Sequence, residues 1–140
     1  MDQTMTPFSI QISSMYIALL ALLMLALAVL VVKKRIRFKV IFGDEGQEPL
    51  LLAIRAHANA VEYIPIGLLL LICLENTWHL PWLTHLMGSA LVLGRVLHAI
   101  GLSQQSGENK PRFWGMVFTW AMIFVSAIAV IAYGLISALH

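Results

Sequence analysis

The stretch Met15–Val32, MYIALLALLMLALAVLVV, decides the fold. It lies within a run from Gln3 to Val32 that holds no charged residue, and Lys33-Lys34-Arg35-Ile36-Arg37-Phe38-Lys39 follows at once. A helix needs about 20 predominantly apolar residues to cross the hydrocarbon core of a bilayer. A secretory signal is the competing reading, and it would place basic residues before a short apolar core. Here the start is Met1-Asp2-Gln3 and the basic cluster comes after the apolar run. The stretch therefore reads as an uncleaved transmembrane helix over about residues 10–32.

The rest of the chain follows the same logic. Of its 140 residues, 60% are hydrophobic and 11% charged, and the mean hydropathy is +0.86. A soluble domain of this size carries roughly 25% charged residues, so most of this surface is expected to face lipid. Gly43-Asp44-Glu45-Gly46-Gln47-Glu48-Pro49 reads as a loop. Pro49 suits the first turn of a second helix, and the acids suit its positive end. The second span is expected at 49–74, with Pro65 a candidate kink. The segment Glu75–Pro81 reads as a short loop with an interfacial Trp78. A third span is expected at 82–102, a polar break at 103–111, and a fourth span at 112–138. The expectation is an all-α integral membrane protein, a single unit over 1–140 built as a four-transmembrane-helix bundle.

The positive charge does not call for nucleic acid, because the basic residues sit beside hydrophobic spans where the bilayer accounts for them. Five Lys/Arg follow the first span, none follows the second, and Lys110 with Arg112 follows the third. By the positive-inside rule the first and third loops are cytoplasmic and both termini lie outside. The lone Cys73 excludes an intramolecular disulfide and a cysteine zinc cluster. It reads as a small buried apolar side chain. No metal site is expected. His79, His85 and His140 lack paired ligand spacing and read as loop or end residues. The tryptophans read as interface anchors or lipid-facing bulk, and the methionines as packing.

Ionisable residues inside membrane helices are expensive and generally face a bundle interior or a wet cavity. In the second span they converge. At about 100° per residue, Arg55, Asn59 and Glu62 share one stripe. His57 projects away from it. Arg95 and His98, three apart in the third span, share a face. Arg112 opens the fourth span and Arg35 closes the first. All these groups lie at the level of the basic loops, whereas the other half of the bundle is expected to hold almost nothing polar. A bland reading makes Arg55–Glu62 a structural ion pair and lets the other arginines snorkel to headgroups. The functional reading is a site for a polyanionic small molecule. Arg binds carboxylates bidentately and stays charged, Asn59 can read an amide, and Glu62 can accept from an ammonium. Glutathione, with two carboxylates, two amides and an amine, satisfies such a set without being demanded by it. An arginine near its thiol would favour the thiolate.

Arg55-Ala56-His57-Ala58-Asn59-Ala60-Val61-Glu62-Tyr63-Ile64-Pro65 closely resembles the second-helix motif of the MAPEG family, the membrane-associated proteins in eicosanoid and glutathione metabolism. Arg95-Val96-Leu97-His98 resembles the family's third-helix motif. Asn109-Lys110-Pro111-Arg112, followed by Phe113 and Gly115, resembles the entry to its fourth helix. The second-helix motif is specific, and the other two are weaker alone but fall in the right order. The resemblance implies a homotrimer of four-helix protomers with glutathione between subunits on the cytoplasmic side. By the same resemblance Arg55, Asn59 and Glu62 bind glutathione, Arg95 and His98 line the site, Arg35 reaches a glutathione carboxylate, and Arg112 stabilises the thiolate. The chain departs from the family pattern twice. Leu102 stands where some members carry a tyrosine, and Ala58 where several eukaryotic members have an arginine. In this it looks like the short bacterial, inner-membrane branch.

Three functions are compatible with these readings. The first is an enzyme that uses glutathione as cosubstrate to attack small apolar electrophiles or to reduce lipid hydroperoxides. The second is a small four-helix transporter, although such exporters carry their glutamate in the first helix, which here has no acid. The third is a non-catalytic binder of an anionic lipid or thiol.

Overall fold

The computed structural model describes residues 8–104 and 109–139. The start at Met1-Asp2-Gln3, His140 and the middle of the polar break at 105–108 lie outside the described residues. The fold consists of four helices: α1 (Gln11–Phe38), α2 (Glu48–Thr77), α3 (Pro81–Gln104) and α4 (Lys110–Ala138). Each is long and apolar enough to cross a bilayer. The protein is thus the expected four-helix membrane bundle. Helices α2 and α3 pack together at its centre, with α1 against both and α4 against both; α1 and α4 do not meet among the described residues.

The core is assembled from Tyr16, Leu20 and Leu27 of α1, Ala56, Ala60, Ile64, Leu71 and Leu74 of α2, Leu91, Ala99 and Leu102 of α3, and Met122 of α4. Small residues at the contacts let the helix backbones approach, which is how helices pack where lipid removes the hydrophobic drive. Helices α3 and α4 approach closely at Gly94 and Gly115. A Cβ on Gly94 would stand 2.9 Å from the Gly115 carbonyl oxygen, and one on Gly115 would collide with the His98 backbone nitrogen. The outward surface is the reverse of a soluble protein's: Leu22, Leu25, Trp120, Phe124, Ile131 and Leu135 are all exposed.

Several boundaries and environments differ from the sequence reading. Helix α1 continues through the basic cluster to Phe38 instead of stopping at residue 32, and Lys39 closes it in the left-handed region at φ 58°. Nothing in Lys33–Phe38 breaks a helix, and Arg35 and Arg37 complement the negative end of its dipole. Glu75, Asn76 and Thr77 form the last turn of α2 rather than a loop. Helix α2 runs unbroken past Pro65, and Pro49 lies in its first turn as expected. Cys73 is exposed, not buried, because the period of α2 turns Leu71 and Leu74 inward and Cys73 away from them. His85 belongs to α3, not to a loop or an end. It approaches the hydroxyl of the buried Tyr16 with Nδ1 at 3.0 Å, and Tyr16 donates to its carbonyl at 3.1 Å. Trp78 donates through Nε1 to the Ala129 carbonyl at 2.9 Å and meets Tyr133 edge to face. It ties the end of α2 to α4.

The expectation that the end opposite the basic loops lacks polar groups is also corrected. Helix α1 has no side-chain cap of its own at Ile10. Glu75 of α2 supplies one. Its Oε1 accepts from the Ile12 N–H at 3.0 Å and the Ser9 hydroxyl at 3.1 Å, and its Oε2 from the Ser13 N–H at 2.8 Å and the Ser13 hydroxyl at 2.5 Å. These backbone donors are the ones a helix start leaves without partners. Asn76 adds a reciprocal pair, accepting from the Ser9 N–H at 2.8 Å and donating to the Ser9 carbonyl at 2.7 Å.

Candidate functional site

At the basic end, α2, α3 and the start of α4 enclose a pocket of about 240 Å³ lined by Leu51, Leu52, Arg55, Asn59, Glu62, His98, Leu102 and Arg112. Helical geometry produces most of this wall. Leu51, Arg55, Asn59 and Glu62 follow one another at spacings of three and four along α2, hence on one face. His98 and Leu102, four apart, supply the facing wall from α3.

Arg112 arrives by a different device. Asn109 caps α4 with Oδ1, which accepts from the Arg112 backbone N–H at 2.9 Å, and its Nδ2 donates to the Gly101 carbonyl at 2.8 Å. One side chain thereby fastens the first turn of α4 to the last turns of α3. Gly101 leaves the room: a Cβ there would stand 2.5 Å from both the Arg112 nitrogen and Asn109 Oδ1. Asn109 was legible as a helix start only through the N-cap preference of Asn before a turn containing Pro111. Its second bond, to α3, has no sequence signal. Leu51 and Leu52 carry none either, being two more leucines in an apolar helix.

The structure thus brings together five of the seven expected site residues: Arg55, Asn59, Glu62, His98 and Arg112. Among the described residues no hydrogen bond or ion pair engages the Arg55, Glu62 or Arg112 side chain, so the alternative of an Arg55–Glu62 structural pair is not realised. His98 is buried, and its Nδ1 has no partner. Buried polar groups are ordinarily satisfied; Arg95 Nε and Ser126 Oγ are likewise without a partner among the described residues, but of the three residues only His98 lines the pocket. The remaining two expected site residues lie apart from the pocket wall. Arg95 is 1% exposed and sits behind Asn59, donating through Nη2 to Asn59 Oδ1 at 2.7 Å. Its guanidinium lies over the Tyr63 ring at 5.6 Å. Arg35 donates through Nη1 to the carbonyls of Ile41 at 3.2 Å and Gly43 at 3.0 Å, so within one chain it braces the α1–α2 loop.

Chemically the pocket presents two guanidiniums, a carboxamide and an imidazole around a single carboxylate, with leucines on the remaining wall. That is a donor-rich surface for an acceptor-rich anion, beside an apolar lining that can take a hydrocarbon group. Arg55 and Glu62 are also exposed on the lateral surface of a single chain, at a depth where the neighbouring α2 residues Val61 and Ile66 are apolar and exposed as well. No group of three or more His, Cys, Asp or Glu able to hold a metal occurs among the described residues.

Comparison with known proteins agrees with the motifs. The profile of the MAPEG family matches residues 13–132. The inner membrane protein YecN of Escherichia coli K12 is 36% identical over 118 residues, spanning 84% of this chain and 88% of the relative. The YecN of Escherichia coli O6:H1 matches to the same extent.

Proposed function

This chain belongs to the MAPEG family, and we propose that it is a glutathione-dependent enzyme of the bacterial inner membrane, acting on small apolar electrophiles or lipid hydroperoxides. The observation that carries this reading is the pocket at the basic end, where Arg55, Asn59, Glu62, His98 and Arg112 converge and, among the described residues, no hydrogen bond or ion pair engages the Arg55, Glu62 or Arg112 side chain.

The donor set fits the tripeptide. Arg55 can take a carboxylate through paired N–H donors, Asn59 offers an amide, and Glu62 can accept from the ammonium. Arg112, pinned by Asn109 at the edge of α4, faces the pocket as a fixed positive charge. Such a charge stabilises a thiolate relative to its thiol. When bound, glutathione supplies the nucleophilic sulfur, which forms a C–S bond to an electrophile with expulsion of its leaving group, or reduces a hydroperoxide to an alcohol and water as two thiols become a disulfide. Leu51, Leu52 and Leu102 provide the apolar wall from which a membrane-dissolved cosubstrate approaches. Leu102 carries no hydroxyl, so thiol activation rests on Arg112.

The exposed positions of Arg55 and Glu62 support assembly of the family's homotrimer. An ionised side chain facing hydrocarbon is costly, and a neighbouring protomer over this face of α2 would cover both and bring a further wall to the pocket. Arg35, outside the pocket in its own chain, is then the candidate to reach a neighbour's ligand. The excess of Lys and Arg at this end favours a cytoplasmic pocket with both termini on the other side.

Isothermal titration of the detergent-purified protein with reduced glutathione tests the reading, with Arg55→Ala as control. Saturable binding that the variant loses supports it. Absence of binding to the wild-type protein removes glutathione as the ligand and leaves the fold untouched.

A further inference from the structure

The amide of Asn59 has a defined direction. Its side-chain oxygen lies 2.7 Å from Arg95 Nη2. A guanidinium carries five N–H donors and no acceptor, so the atom facing it must be the carbonyl oxygen. Reversing the amide would set its NH2 against those donors and leave the guanidinium with no oxygen acceptor among the described residues, since its only other hydrogen-bond contact is Nη1 to Met116 Sδ at 4.0 Å. Arg95 cannot move to escape that arrangement. It is 1% exposed and its guanidinium lies over Tyr63. The adjacent Gly94 brings α3 against Gly115 and Thr119 of α4 too closely for a Cβ. Asn59 lines the pocket and Arg95 does not. With Oδ1 already accepting from Arg95 on the helix behind, Nδ2 is the donor Asn59 has left for a ligand.

We propose that Arg95 is a positioning residue that locks the Asn59 carboxamide with its NH2 available to the pocket, so that this point of the site requires a hydrogen-bond acceptor, a carboxylate or carbonyl oxygen, from whatever binds. The inference rests on the pocket being the ligand site proposed above and narrows its specificity. Across α2, Arg55, Asn59 and Glu62 then read as donor, donor, acceptor. A bound molecule must offer two acceptor groups beside one ammonium or hydroxyl donor, in that order along the helix. A cationic or purely donor ligand leaves the Asn59 NH2 without an acceptor even though Glu62 would attract it.

The test uses the full chain purified in detergent, with thermal unfolding and titration of reduced glutathione as separate readouts. Asn59→Asp keeps the oxygen that Arg95 needs and replaces the donor by an acceptor. It is expected to unfold at or above the wild-type temperature and to bind glutathione at least tenfold more weakly. Asn59→Leu removes both atoms and is expected to unfold earlier, because it strands the guanidinium. Arg95→Met is expected to weaken binding although Arg95 touches no ligand, and Arg95→Lys, which can still donate to Oδ1, to recover part of that loss. A merely structural role for Arg95 would lower stability without changing affinity in the folded fraction. The proposal is overturned if Asn59→Asp binds glutathione as tightly as the wild type, or if it unfolds as early as Asn59→Leu. If the wild type binds no glutathione while Asn59→Asp unfolds at or above the wild-type temperature, the need of Arg95 for an oxygen at position 59 is supported, and the requirement for an acceptor from glutathione is overturned together with the ligand proposed above.

Discussion

Two of the three carboxylates of helix α2, Glu62 and Glu75, stand in opposite circumstances. Glu75, near its C-terminus, is 6% exposed and accepts four hydrogen bonds from Ser9, Ile12 and Ser13. Glu62, near the basic end, is exposed and accepts none from the described residues. Both stand in a helix long and apolar enough to span a bilayer, so neither serves solubility. A polar group in such a place must find partners. Glu75 finds them in its own chain and closes the start of α1. Glu62 has no hydrogen-bond partner among the described residues, and under the proposed function it finds one in the ligand. The contrast separates a carboxylate that holds the fold from one that the proposed function assigns to recognition, although both are a single Glu in an apolar run.

The largest expected effect sharpens the recognition side. Arg112→Ala should reduce thiol-transfer turnover roughly 100-fold or more, the scale seen when one stabiliser of a developing or resident anion is removed. Glutathione binding, measured by titration, should survive within a few-fold, since Arg55, Asn59 and Glu62 remain. Equal losses of binding and turnover would make Arg112 an anchor rather than the thiolate's partner.

Exchanging the two glutamates for glutamine tests the contrast directly. Glu75→Gln should lower stability by about 1–3 kcal/mol, because one oxygen becomes an NH2 facing donors and leaves buried N–H groups unpaired. Its glutathione affinity should be unchanged in the folded protein. Glu62→Gln should leave thermal unfolding of the unliganded protein where it was and weaken glutathione binding about tenfold, the worth of one hydrogen bond to a charged group. If the two variants behave alike, the division of α2 into a structural end and a recognition end is wrong.

How far the sequence revealed these two ends follows from what each is made of. The helices were legible because apolar runs of bilayer length read as membrane spans, and the stripe of Arg55, Asn59 and Glu62 because they keep helical spacing on one element. The Glu75 clamp was not. Its partners, Ser9 and Ser13, are more than sixty residues away, and Glu75 beside Asn76, Thr77 and Pro81 looks like a polar loop. Only tertiary packing turns it inward. The same limit applies to Arg95, which shares a helical face with His98 yet lies behind Asn59 rather than in the pocket wall. Local periodicity gives the face of a helix, and depth depends on what the neighbouring helix presents there.

The smallest effect is expected at the joint that carries Arg112. Asn109 performs two tasks, capping α4 through Oδ1 and holding Gly101 of α3 through Nδ2. Asn109→Ala abolishes both and should lower stability by about 1 kcal/mol, the usual worth of a helix N-cap. Asn109→Asp keeps the cap, since a carboxylate still accepts the Arg112 N–H and suits the positive end of the helix, but it cannot donate to Gly101. It should therefore retain most of the stability that the alanine variant loses. If the link to α3 fixes where Arg112 stands, turnover should fall several-fold in both variants while glutathione affinity holds. If turnover follows stability alone, full in Asp and reduced in Ala, then the cap by itself positions Arg112 and the bond to α3 is incidental.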